Sequence, residues 1–119
     1  MFEYLKGRVE YKKPDYLALD VNGVGYKVNI SLRVYEKIKT GEVVRLYIYN
    51  YIKEDAFKLI GFLEERERNL FEMLLGVKGV GVSLAFSVMS TFAVEQLRMQ
   101  LLKEFLSLER KKLNKLYLI

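Results

Sequence analysis

Leu74-Leu-Gly-Val-Lys-Gly-Val-Gly-Val-Ser-Leu-Ala-Phe-Ser-Val88 is the stretch around which the rest of the chain can be placed. Gly79 and Gly81 bracket Val80 between two segments with helical periodicity, which predicts a tight turn through φ > 0 backbone where a Cβ would clash. Such a turn leaves peptide N–H groups bare at the start of the following helix. With the positive end of the helix dipole behind them, they suit an anion, and a nucleic-acid phosphate is the obvious one for a basic protein. Val80 is expected to point inward and anchor the hairpin, and Ala85 is small enough for two helices to approach closely. The pattern is that of a helix-hairpin-helix with Lys78, Gly79, Val80 and Gly81 at its turn. The same local features also describe a plain αα corner with no ligand.

Upstream, the period is two. Phe2 to Tyr11, Tyr16 to Val21, Tyr26 to Ile30, Val43 to Tyr49 and Phe57 to Phe62 are rich in Tyr, Val, Ile and Leu and read as five strands. Turn chemistry separates them at Lys12 to Asp15, at Asn22 to Gly25 and at Thr40-Gly41. Between the third and fourth strands, Ser31 can cap a short helix in which Leu32, Tyr35 and Ile38 recur at helical spacing. Five strands with a helix after the third match a small closed barrel of the OB type. The chain's nine Tyr and seven Phe suit base stacking on such a barrel. The competing expectation is that most of them fill its inside and cover its ends.

From Glu64 to Leu75 the spacing becomes helical, with Leu70, Phe71, Leu74 and Leu75 on one face and a charge run, Glu64 to Arg68, expected to be a solvated face. A helix follows from Val82 to about Ser90 with Ala85, Val88 and Met89 turned inward, and a third is predicted to begin near Ala93. The overall expectation is an α+β protein: an OB-type barrel over 1–63, a helix-hairpin-helix domain over 64–97 and a basic, Leu-rich helical tail over 98–119.

Composition narrows the function. The 119 residues contain no Cys and no His, which removes thiolate and imidazole metal sites, Cys and His nucleophiles, and a histidine base. No close acid pair on a strand end invites catalysis either, so the expectation is a binding protein without enzyme activity, cofactor or metal. No apolar run approaches a membrane span and no secretory signal is visible, which predicts a cytoplasmic protein. The net charge of +5 is unevenly placed: residues 1–63 carry 11 basic and 8 acidic groups, 64–97 carry 3 and 5, and 98–119 carry 6 and 2. Most of the excess therefore sits in the tail, and binding of phosphate at the glycine turn must rest on backbone donors and a few local side chains.

The order of these elements resembles the RuvA family, the DNA-binding subunits of the bacterial Holliday-junction branch-migration machine. The resemblance runs from Met1 to about Leu97. It is carried by Tyr-Leu-Lys-Gly-Arg-Val at Tyr4 to Val9, Val-Asn-Gly-Val-Gly-Tyr-Lys-Val at Val21 to Val28, Lys-Glu-Asp-Ala at Lys53 to Ala56, Leu-Ile-Gly-Phe at Leu59 to Phe62, Arg-Asn-Leu-Phe at Arg68 to Phe71 and Lys-Gly-Val-Gly at Lys78 to Gly81. It implies four subunits in a flat plate whose basic face holds the arms of a four-way junction in recombination and repair. Lys78, Gly79, Val80 and Gly81 would then meet phosphates, and Glu54 with Asp55 would be an acidic pin at the junction centre. Without the resemblance, Glu54-Asp55 reads as an ordinary hairpin turn.

Two departures qualify this. Where the family usually continues its hairpin with Pro-Lys, the chain has Val82-Ser83, losing a helix-starting Pro and a cation, although Ser83 can still donate to a phosphate. The family also continues into a second helix-hairpin-helix and a domain that contacts the RuvB motor, and neither has a counterpart in the sequence. Instead Leu101, Leu102, Phe105, Leu108 and Leu116 recur at roughly helical spacing. If Glu104 to Ile119 is read in a shifted frame, permitted codons spell Ile-Pro-Val-Ile-Gly-Lys-Lys-Lys-Ala-Glu-Gln-Ile-Ile-Phe-Asp, close to the family's second hairpin. The expectation is a frame-changing deletion, impaired junction binding and no stimulation of a RuvB-type motor. A different class of function competes with this: an assembly or protein-interaction module using the Leu-rich tail, with little DNA binding.

Overall fold

The Asn22-Gly23 dipeptide sets the first hairpin. Asn22 (φ 53°) and Gly23 (φ 90°) both take left-handed backbone, and the Asp20 carboxylate accepts from the Gly23 N–H at 2.7 Å. This primed turn matches the twist of antiparallel strands, so β2 (Tyr16–Val21) pairs with β3 (Val24–Asn29) along its whole length. The turn is thus two residues long rather than the four expected. In the computed structural model, which describes residues 1–91, 96–97, 99–104 and 107, three further strands complete a closed barrel: β1 (Tyr4–Lys12), β4 (Val43–Lys53) and β5 (Ala56–Phe62), in the order β1-β2-β3-β5-β4. The pairs are antiparallel except the one that shuts the barrel, where β3 meets β5 in parallel over only Val28↔Leu59 and Asn29↔Ile60. The fold is α+β, with a five-stranded barrel of the expected connectivity.

Between β3 and β4 lies α1 (Leu32–Lys37), whose N-cap Ser31 accepts from the Val34 N–H at 3.3 Å. The cap is as expected, but the helix face is not. Val34 and Ile38 are buried, Tyr35 is half-buried and Leu32 is exposed, because so short a helix meets the barrel end chiefly through Val34 and Ile38.

Alternation sorts the strands' side chains into two cores. Leu5, Val9, Leu17, Leu19, Val28, Leu46, Ile48 and Leu59 point into the barrel, joined at its ends by Ile30, Val34 and Ile38. These buried residues are all aliphatic, which corrects the expectation that aromatics fill the inside. A barrel of five strands is narrow, and branched aliphatic side chains fill it without strain. Phe2, Tyr26 and Tyr35 cover its ends, whereas Tyr4 and Tyr11 are exposed on the outer wall.

The second core lies on the other side of β5. Ile60 and Phe62 face outward there, against α2 (Glu65–Leu75) and α3 (Val82–Thr91). Phe71 is its hub, with ring centroids 5.1 Å from Phe62, 5.2 Å from Phe86 and 5.4 Å from Tyr49. Ala85 is fully buried in this core, so a larger side chain there has to displace a neighbour. Further along, Gln96, Leu97 and 99–104 are helical, and Leu97 and Leu101 pack on this core. The expected helix start near Ala93 and most of the Leu-rich tail, including Phe105, Leu108 and Leu116, lie outside the described residues.

The charge run opening α2 is not wholly a solvated face. Glu67 and Arg68 are each only 6% exposed. Arg68 reaches back to the start of β1, donating to the Glu3 carbonyl, and also approaches the Glu65 carboxylate at 3.4 Å and the Tyr47 ring. Glu67 is held above the usual carboxylate range, first by burial and then by the Glu64 charge, against the opposing pull of Lys37 and Arg33.

Candidate nucleic-acid interface

The turn between α2 and α3 is built in two steps. Gly76 ends α2 with helical backbone, its N–H shared between the Glu72 and Met73 carbonyls at 3.2 and 3.1 Å, and the Val77 N–H continues the tightening onto Leu74. Then Gly79, at φ 86°, reverses the chain, and Val80 donates to the Val77 carbonyl at 3.1 Å while its side chain packs on the second core. Val80 is therefore the inward anchor the sequence predicts. Gly79 is the left-handed residue.

Gly81 differs from that expectation. It does not take left-handed backbone, and a Cβ there would meet nothing within 4 Å. Among the described residues, neither left-handed backbone nor a packing contact requires glycine at this position. Lys78, Gly79 and Gly81 are exposed, as is Ser83 in the first turn of α3. The first α3 N–H bonded back to the turn is that of Ala85, onto the Gly81 carbonyl at 3.0 Å. The N–H groups of Val82, Ser83 and Leu84 precede it and have no intrahelical acceptor available. An anion can be received there by backbone donors and the helix dipole, with Lys78 and Ser83 at hand.

Glu54 and Asp55 occupy a separate element. They form the two-residue turn between Lys53 and Ala56, the tip of the β4–β5 hairpin, and both are exposed. Neither takes left-handed backbone. On the outer face of this hairpin, Tyr51 pairs across from Lys58, and the Lys53 ammonium lies 5.3 Å from the Tyr51 ring centre, its pKa raised chiefly by the neighbouring Tyr51.

A groove of about 620 Å³ runs between this face and α3, lined in part by Tyr51, Lys58, Ser83, Phe86 and Ser87. It brings Lys58 and the hydroxyl of Ser83 to one surface, and Lys58 is a residue sequence reasoning did not select. The available signal was its cross-strand position opposite a tyrosine, which becomes visible only once the hairpin register is known. Among the described residues, no group of His, Cys, Asp or Glu could hold a metal, and no helix is long and apolar enough to cross a membrane.

A closed five-stranded barrel of the OB type carrying a helical pair joined through a glycine turn defines the class. Residues 1–61 match the RuvA N terminal domain family, and the chain belongs to it. It is 60% identical over 97 residues to the Holliday junction branch migration complex subunit RuvA of Fusobacterium nucleatum subsp. nucleatum, a match covering 82% of this chain and 50% of that protein. Proteins of the same name from Acetivibrio thermocellus (45% over 94 residues, 78% of this chain and 46% of that one) and Magnetococcus marinus (42% over 109 residues, 91% and 53%) are also similar. The chain spans about half the length of the curated relatives it matches.

Proposed function

We propose that this chain is a non-catalytic DNA-binding module that recognises four-way junctions, the DNA-contacting part of a branch-migration complex whose motor is a separate RuvB-type protein. The observation that carries this is the α2–α3 turn, in a chain whose relatives are named for the Holliday junction. Gly79 supplies the reversal, Gly81 leaves open space, and the first turn of α3 offers unpaired backbone donors. In this reading Lys78, Gly79, Val80, Gly81 and Ser83 form the phosphate-binding turn, Val80 by holding it in place. Such contacts position DNA without reading its sequence, as a protein acting at an arbitrary crossover requires.

Glu54 and Asp55 then supply discrimination. A carboxylate pair on an exposed hairpin tip repels a continuous duplex laid across it and fits the open centre of a crossover. One tip of this kind serves one quadrant of a junction, which calls for self-association, a homotetramer in this reading. The barrel (1–63) supplies the pin and the helical segment (64–97) the phosphate contacts, so each is needed for junction preference.

The test compares binding of the chain to a synthetic four-way junction and to linear duplex of equal length at one salt concentration. Preference for the junction is expected. Equal affinity for both, or binding to neither, would overturn this function.

A further inference from the structure

The β4–β5 hairpin has a second face that the proposed function does not use. Inside the barrel, the inward positions of these strands include Val44, Leu46, Ile48 and Leu59. The next inward position is Asn50, opposite Leu59, and its side chain closes the barrel by accepting from the Phe2 N–H at 3.1 Å and donating to the Phe2 carbonyl at 2.8 Å. Beyond that polar closure the same face continues with Ile52 and Phe57, a directly opposed pair. Ile52 is 54% exposed and Phe57 57%. They are outside the barrel core, on an arm in which β5 before Leu59 has only β4 as its partner.

The charges around this pair select what can cover it. Lys53 and Lys58 lie on the opposite face of the arm, so phosphates are drawn to that side, and the Glu54 and Asp55 carboxylates repel phosphates from the tip. The part of a nucleotide that can rest against Ile52 and Phe57 is therefore its uncharged part, the base. An aromatic ring on a rigid strand pair accepts the π-face of any base, without sequence preference. That tolerance suits a crossover that moves through arbitrary sequence.

We propose that Ile52 and Phe57 form a stacking platform for a nucleobase displaced from its pair at the point where strands cross. This rests on the junction-binding reading and adds to it: the acids exclude the backbone, and the apolar face holds the base that strand exchange leaves unpaired. Phe57 supplies the ring and Ile52 the apolar floor beside it.

The chain contains no Trp, so Phe57→Trp introduces a single fluorescent reporter at the platform. Intensity is read as a synthetic four-way junction or an equal-length duplex is added, while binding is followed independently by the anisotropy of labelled DNA. Expected are quenching of about twofold or more by the junction alone, and for Phe57→Ala a loss of about tenfold in junction affinity with duplex affinity unchanged, in the range of one lost base stack. Junction preference with no change in tryptophan emission and no effect of Phe57→Ala would overturn the platform and leave the junction reading standing. Absence of junction preference in the parent chain would overturn both. Quenching that grows with protein concentration without DNA would assign the face to a second copy of the chain and also overturn the platform.

Discussion

Arg68 and Glu3 are joined twice: one guanidinium nitrogen donates to the Glu3 carbonyl at 2.9 Å and approaches the Glu3 carboxylate at 2.8 Å. The contact ties α2 to the first residues of the barrel across 65 positions of sequence. Replacing Arg68 by Met keeps the apolar stem and removes the donors, leaving the Glu3 carbonyl only the Ile48 N–H, at 3.0 Å, and the Glu3 carboxylate without its guanidinium. The expected cost is about 2 kcal/mol, since the bonds removed involve a charged, nearly buried donor. Urea denaturation reads this as a lower midpoint. Arg68→Lys should recover only part of it, because an ammonium lacks the planar fork.

Gly79 and Gly81 should respond differently to the same substitution. Gly79→Val forces a β-branched residue into left-handed backbone and should cost about 1–3 kcal/mol of stability as well as binding. Gly81→Val meets open space and should leave stability within about 1 kcal/mol, yet weaken binding to duplex and junction alike. For every phosphate that the protein no longer neutralises, the dependence of log affinity on log salt should also flatten by about one unit. A folded Gly81→Val chain with parental affinity and salt slope would mean that the turn is a corner without a ligand.

For the acid pair the informative change is Glu54→Gln with Asp55→Asn, which keeps shape and removes charge. Duplex affinity should rise by about fivefold or more, roughly 1 kcal/mol, and junction affinity by less. Parallel titrations with the two DNAs measure the ratio. If both affinities stay at parental values, Glu54 and Asp55 are turn residues only.

Glu67 predicts a pH dependence whose sign follows from its raised pKa. The native state holds the Glu67 proton more tightly than the unfolded chain, so over the interval between the two pKa values it binds more protons. This contribution to stability is present below the ordinary carboxylate pKa and is lost as pH rises through the raised native one. Glu67→Gln should therefore be more stable than the parent at neutral pH, with the advantage vanishing below about pH 4. Denaturation midpoints at two pH values decide it, and a variant advantage that grows toward acid pH would contradict the assignment.

The barrel is legible in the sequence because alternation survives wherever one face of a strand meets the core, as in Leu17 and Leu19. The pattern fails at the strand ends. It predicts that the fourth strand stops at Tyr49, but the strand runs on to Lys53, because past Asn50 its partner is β5 alone and no core imposes an apolar pattern. The inward turn of Val80 is readable from its two glycines, whereas the difference between Gly79, which takes left-handed backbone, and Gly81, which does not, is hidden, since only backbone angles separate the two. Burial of Glu67 and Arg68 is invisible for a related reason. Their partners, Glu3, Arg33 and Lys37, come from distant stretches of the chain and meet α2 only through the tertiary fold.

The parallel join between β3 and β5 makes this barrel a strip fastened by a narrow clasp. Two residue pairs hold it, supported by the Asn29 side-chain amide donating to the Leu59 carbonyl at 3.2 Å, while the β2–β3 hairpin beside it is paired along its full length. Closing the clasp must overcome the entropy of a loop of about thirty residues, so it forms after the local hairpins and opens before them. Native-state hydrogen exchange should show amides at the clasp opening at lower free energy than those of β2 and β3. Because Ile60 and Phe62 hold α2 and α3 on the outer side of β5, the helices can ride with that strand when the clasp parts, and the cylinder can loosen without shedding them.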